Sequence, residues 1–388
     1  MPFPPDQAQT LQSLLESASQ VRGLKPTGPI EMRLIGRSEA ADYLESTLDP
    51  GDREVLRLHQ EVYRLLGLIP DDADLIDLQI ALLRGLVLGF YDPDVKALFV
   101  LQDLGLTSTV TRLTLVHELT HALQDQHYDL NAVDLRLRGD WDASMAFTDL
   151  VEGDARAVET EFANPGSLDR PRCDDSSFRV SRSSNVPVII QRELQAPYSD
   201  GVCLISSDRA KLPAGVDSIF EDPPRSTEQV LHPEKYLAGE EPRKVDLQPL
   251  APALGAGWKQ EASSTFGEFE LQNLLLLGVT DTATVKGAAA GWGGDRWALY
   301  QRDDGARLFQ MTTAWDSEAE AREYWSVFLL SLRMRANGAL AVEPGATRVK
   351  WVQNGKTLQA AIKGDTVTMV VSTDADAADA AASALGLQ

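Results

Sequence analysis

The stretch 115-LVHELTHALQDQHYDL-130 constrains this chain most, because it sets His117 and His121 four residues apart inside an apolar run. Residues at that spacing share one face of a helix, so both imidazoles can reach a single point. Leu113, Leu115, Val116, Leu119, Ala122 and Leu123 surround the pair, which predicts a buried helix. Glu118 follows the first histidine and completes the spacing HExxH. Two imidazoles and a neighbouring carboxylate suit one Zn2+ ion: zinc lowers the pKa of a bound water to about 7, and a carboxylate then suffices as base. His117 and His121 are the expected metal ligands and Glu118 the expected general base.

A catalytic zinc needs a third protein ligand and an open fourth position. His127 has the spacing of the third histidine in the metzincin pattern HExxHxxGxxH, but the glycine that lets that helix break is here Gln124, a good helix former. If the helix continues, His127 lies ~9 Å beyond His121 and points away. The better candidate is Glu152 in 149-DLVEGDARAVETE-161. It sits among Phe147, Leu150, Val151, Ala155 and Val158, where a carboxylate is costly unless paired or metal-bound. Gly153 and Ala155 are small, as expected where two helices pack closely. Glu159 shares the broad face of Glu152 but is too far along to share the ion.

With these residues in view, the chain resembles zinc metallopeptidases of the gluzincin group, in which HExxH is followed some tens of residues later by a glutamate. HELTHA is similar to the metal helix of thermolysin-like proteases, and 151-VEGDA-155 resembles the EGxA form of the glutamate helix; the resemblance spans roughly residues 85–240. It implies His117, His121 and Glu152 as ligands, peptide bonds as substrate, and a zincin-like domain with an active-site helix and a small mixed or antiparallel sheet. It also implies an edge strand that binds extended substrate, with Phe99 or Val100 on that edge. His232 in 226-STEQVLHPEKYL-237 and Tyr198 in 196-APYSDGV-202 are candidates for stabilising the oxyanion. The chain departs from the thermolysin pattern at Arg156, where an acid is usual, so Asp149 or Asp125 is expected to orient an imidazole instead. The aminopeptidase signature GxMEN is absent. A rival reading is a zinc-stabilised binding protein that hydrolyses nothing.

The rest of the sequence sets bounds. A length of 388 residues predicts two domains. A net charge of −22 argues against nucleic acid or an anionic membrane as partner. No apolar run approaches the ~20 residues of a membrane span. The opening MPFPPDQAQTLQSLLESASQ carries no signal-peptide pattern, so the protein is expected to be cytosolic, or extracytoplasmic after loss of a leader. Cys173 and Cys203 fit either one disulfide or two buried thiols.

Periodicity predicts helices over 6–22, 38–47, 50–67, 74–86, 141–163, 188–196, 226–238 and 264–278, a strand at 29–36, a hairpin over 88–101 and a surface excursion over 164–187. His59 falls mid-helix and reads as either structural or exposed. Past residue 282 the pattern changes to strands (296–301, 306–315, 347–353, 357–363, 366–373) around a helix over 317–337, with a short closing helix. The run 291-GWGGDRW-297 reads as a tight turn that packs its tryptophans. The fold class is therefore α+β. The expected domains are 1–281, made of a helical N-terminal segment (1–86) and a catalytic segment (87–281), and a smaller α+β domain over 282–388.

Overall fold

The computed structural model describes residues 5–78, 89–103, 105–167, 173, 175–182, 185–208, 215–338, 340, 343 and 345–388. Residues 79–88, which include much of the expected helix 74–86, lie outside them. The molecule is α+β and contains two sheets. The smaller sheet has β1 (Glu31–Ile35), β2 (Gly89–Asp92) and β3 (Ala97–Leu101) in the order β1-β3-β2, with β1 parallel and β2 antiparallel to β3. The larger is a six-stranded antiparallel sheet, ordered β4-β5-β6-β9-β8-β7. Its strands are β4 (Trp258–Ser264), β5 (Trp292–Arg302), β6 (Arg307–Trp315), β7 (Arg348–Gln353), β8 (Lys356–Lys363) and β9 (Thr366–Ser372). No helix among the described residues is long and apolar enough to cross a membrane.

The helix Thr109–Tyr128 carries HExxH, and the helix Trp141–Ala163 carries Glu152. The first starts at Thr109 with Ser108 at the N-cap, although the Ser108 side chain makes no capping bond. The second is capped by Asp140, whose carboxylate accepts from Ala143 N. One apolar core fixes both helices: Leu115, Val116, Leu119 and Leu123 pack with Val158, with Leu98 and Val100 of β3, and with Leu11 and Leu14 of the helix Pro5–Arg22. The motif helix thus lies between the small sheet and the N-terminal helix, with its two histidines turned toward the Glu152 helix.

Strand pleating gives the large sheet two buried faces. On one, Trp297, Leu299, Phe309 and Met311 meet Tyr63 and Leu66 of the helix Pro50–Leu66, Leu271 and Leu275 of the helix Gly267–Leu276, and Phe328 of the helix Glu318–Arg335. On the other, Ala298, Tyr300, Leu308 and Val370 meet Ala377 and Ala381 of the closing helix Ala375–Ala384. Residues from the N-terminal segment therefore share a core with the sheet, and β4 joins that sheet ahead of the boundary expected at 282.

Three local expectations need correction. The run 291–297 is not a tight turn but the start of β5, with a bulge between Trp292 and Gly294. Asp295 within it accepts from Trp292 Nε1 and from the backbone N–H groups of Phe266 and Gly267, tying the strand to the start of the helix Gly267–Leu276. The helix expected over 226–238 is two, Thr227–Leu231 and Pro233–Ala238, because Pro233 cannot donate the hydrogen bond that would continue the first. Finally, Phe99 and Val100 cannot lie on a free edge, since β3 has a neighbour on each side; the edge strands are β1 and β2.

Candidate metal centre

His117 and His121 lie on the inner face of the motif helix, 7% and 8% exposed. Glu152 reaches them from the neighbouring helix. His117 Nε2 is 3.1 Å from Glu152 Oε2 and 3.1 Å from His121 Nε2, and His121 Nε2 is 3.5 Å from the same carboxylate oxygen. Two nitrogen ligands ~2.05 Å from a tetrahedral zinc stand roughly 3.3 Å apart. The triangle of donor atoms therefore fits one such ion without rearrangement. The donor set, two imidazoles and a carboxylate, is also one that zinc takes in three-ligand sites, the imidazoles giving up their inward protons to the ion.

The far side of the His121 ring is held by a hydrogen bond, and that of His117 faces a carboxylate. His121 Nδ1 is 2.9 Å from Gln124 Oε1. Gln124 cannot be turned round, because its Nε2 donates to Val151 O at 3.0 Å and to Asp154 Oδ2 at 2.8 Å. Its oxygen must accept, so Nδ1 of His121 carries the proton and Nε2 presents its lone pair inward. Asp154 is held in turn by Arg22 Nε at 2.6 Å, and Arg22 Nη1 reaches Asp217 at 2.7 Å. His117 Nδ1 faces Glu159 Oε2 at 3.5 Å, an ion-pair distance that is long for a hydrogen bond. Glu159 thus stands behind a ligand rather than in the ligand triangle.

Asp125 and Asp149 do not take the orienting role expected for them. Asp125 accepts from Tyr91 Oη at 2.7 Å, from Lys96 Nζ at 2.8 Å and from Leu130 N at 3.1 Å. Asp149 is buried on the same helix as Glu152, and its backbone carbonyl abuts Gly201. The two Nδ1 atoms are instead faced by Gln124 and Glu159. Sequence reasoning missed Gln124 as a partner because it was judged only as a helix former. The available signal was its position three residues past His121, which puts it on the same face.

Glu118 is half-buried, and its Oε2 accepts from Tyr91 N at 2.9 Å. Burial raises its pKa above the ordinary carboxylate range, against the opposing pull of His117 and His121. That hydrogen bond also orients β2: the outward N–H of Tyr91 points at the motif helix, so the free edge of the small sheet runs beside the cluster. Burial disfavours a charged His117, but Glu152 and Glu159 outweigh it and carry its pKa up to about 10. Glu152 is itself held well below the usual range by the two histidines, against the penalty of burial. The centre is thus strongly negative in potential and suited to a cation.

Tyr198 is brought to this cluster. It lies in the π-helical turn Pro197–Gly201, with its ring centroid 5.9 Å from that of His117. The residue as a whole is 46% exposed, but desolvation of its hydroxyl end beside the cluster and the neighbouring Glu152 carboxylate raise its pKa, so the hydroxyl remains a donor at neutral pH. The turn is pressed against the Glu152 helix by paired glycines: a Cβ on Gly153 would overlap the backbone of Gly201, and one on Gly201 would overlap the carbonyl of Asp149. The glycine of 151-VEGDA-155 therefore sets how closely Tyr198 approaches.

His232 is not brought there. Its Nε2 is 3.0 Å from Glu268 and its Nδ1 3.7 Å from Glu234, in a separate cavity lined by Leu231, Phe178 and Lys286. The Glu268 carboxylate holds the ring. His127 is exposed at the end of the unbroken motif helix, with Nε2 2.8 Å from Lys25 O, and does not join the ligand triangle. His59 is buried against Trp141, ring centroids 3.5 Å apart, as a structural residue. Cys173 and Cys203 are joined in a disulfide.

Comparison with known proteins gives one match: residues 254–382 fit a family described as Domain of unknown function (DUF8575). That stretch takes in the six-stranded sheet and stops short of the His–His–Glu cluster on its N-terminal side. No curated protein and no solved structure matches the chain.

Proposed function

We propose that this protein is a zinc-dependent peptidase of gluzincin type, with His117, His121 and Glu152 as ligands and Glu118 as general base. The observation that carries the reading is the donor triangle, whose three atoms come from two helices and have the separations a tetrahedral ion requires. Zinc held there would supply an acidified water and polarise the substrate carbonyl. Glu118, next to the first ligand and anchored by Tyr91 N, takes the proton and passes it to the leaving amine. Tyr198 offers its hydroxyl to the developing oxyanion, a role supported by its place beside His117 and Glu152. The free edge of β2, beside Glu118, suits an extended peptide added as a further strand. The zincin-like likeness rests on this arrangement of helix pair, mixed small sheet and edge strand.

The test is hydrolysis of a peptide library by zinc-loaded protein, with Glu118→Gln as control. The substitution is expected to lower kcat by about a thousandfold, within the range for loss of a general base, with bound zinc unchanged. Equal activity in the two proteins would remove the enzyme reading and leave a zinc-stabilised binding protein.

A further inference from the structure

The turn Pro197–Gly201 presents more than Tyr198. Asp200 of the same turn lines a cavity of about 140 Å³, and none of the three expected metal ligands is among its lining residues. Phe178, Val230 and Leu231 give this cavity apolar walls, and the Cys173–Cys203 disulfide borders it. Two charged pairs close on themselves there: Lys286 with Asp175 at 2.6 Å, and His232 with Glu268 at 3.0 Å. Asp200 has no such partner. It is 9% exposed; Oδ1 accepts from the Ser177 and Ser199 hydroxyls at 3.3 Å each, and Oδ2 is buried with no hydrogen-bond partner.

The cation behind this wall does not satisfy it. Arg192 is fully buried between Phe178 and Phe269, its guanidinium carbon 4.1 and 4.4 Å from their ring centres; its Nη groups donate to Asn273 and Gln272, and its Nε, buried and without a hydrogen-bond partner, does not bond Asp200. A buried carboxylate oxygen left without a partner is costly. That cost shows in the Asp200 pKa, which burial pushes up to about 6 against the pull of Arg192.

We propose that this cavity binds an alkylguanidinium or alkylammonium group, with Asp200 as its counter-ion. The apolar walls take the methylene stem, as they do for long basic side chains elsewhere. The group is a basic side chain of the substrate, an assignment of source that rests on the peptidase reading; a free amine is the other source of the same chemistry.

Calorimetric titration with butylguanidinium tests the cavity without any hydrolysis. Wild-type protein should bind it saturably, bind neutral pentanamide at least tenfold more weakly, and lose at least tenfold in affinity for the cation on Asp200→Asn. No binding, equal binding of the neutral compound, or unchanged affinity in the variant would overturn the proposal. The first comparison uses wild-type protein alone, so it decides the matter even if Asp200→Asn misfolds. Mapping cleavage sites in a peptide library then identifies the source. Enrichment of Lys and Arg near the cut, lost in Asp200→Asn while other peptides are still cleaved, is the result expected. Cleavage without basic preference overturns the substrate assignment. Absence of all cleavage with zinc bound overturns the peptidase reading, and calorimetry still decides the cavity.

Discussion

Among the described residues, two places gather three metal-ligating side chains, and what stands among them differs. At one, carboxylate oxygens of Glu228, Glu240 and Asp316 lie within 4.8 Å of one another, as the donor atoms of His117, His121 and Glu152 also do. There the Lys235 ammonium occupies the centre, 2.8 Å from Asp316 and 3.1 Å from Glu240, with Glu228 also in contact. The chain has supplied its own cation, and the cluster is closed. At the histidine cluster, no Lys or Arg among the described residues pairs with Glu152, and the rings are turned inward by groups behind them. Convergence alone therefore does not mark a metal site. What marks one is the support behind the ligands, as Gln124 gives His121, without a basic side chain of the chain standing among them as Lys235 does.

The comparison breaks first if the ligands are misassigned. Glu152→Ala is expected to weaken zinc binding by at least about a hundredfold, and His127→Ala to leave it unchanged; metal content by mass spectrometry decides, and the reverse result would favour the metzincin arrangement. Gln124→Ala tests the support behind His121. It should weaken zinc affinity by about ten- to a hundredfold while the melting temperature of the zinc-free protein moves little. A large loss of apo stability with unchanged affinity would show Gln124 to be packing only.

Lys235→Met sharpens the other side. It leaves three carboxylates without a cation and should cost about 2 kcal/mol, read as a fall in the urea midpoint, without creating a tight zinc site. Zinc bound there as tightly as at the histidines would show that occupation by Lys235 is the whole difference.

A pH-dependent effect is expected at His59, a buried histidine packed against Trp141. Its Nδ1 has no partner, and burial pushes its pKa from 6.5 down to about 3. A depressed basic group leaves stability full above pH 6.5 and erodes it as pH falls toward 3, because the unfolded chain then binds the extra proton. The slope is at most about 1.4 kcal/mol per pH unit. His59→Leu should remove that share of the acid-side decline between about pH 6.5 and 4.5, measured by urea unfolding; an unchanged slope would contradict the assignment.

Much of this was legible in the sequence where one periodicity ran unbroken. The helix Trp141–Ala163 and the helix Val188–Ala196 begin and end where the apolar spacing says, and the C-terminal strands alternate as strands with buried faces do. What escaped lacked such a signal. β4, with the polar sequence WKQEASS, is an edge strand recruited by pairing with β5 rather than by its own pattern. The helix Leu130–Leu137 follows the motif helix directly across Asp129, with no proline or glycine to announce the break. At the site, sequence yielded the residues four apart on one helix and the acid in an apolar context. It could not yield Gln124, Asp154 and Arg22 as one chain of hydrogen bonds, because that chain crosses three helices.

The most direct measurement is anomalous diffraction at the zinc edge from crystals of the protein exposed to zinc. The expected result is a single strong peak bonded to His117 Nε2, His121 Nε2 and the Glu152 carboxylate, with one position left to solvent. A peak at Glu228, Glu240 and Asp316, or no peak between the two helices, would contradict it.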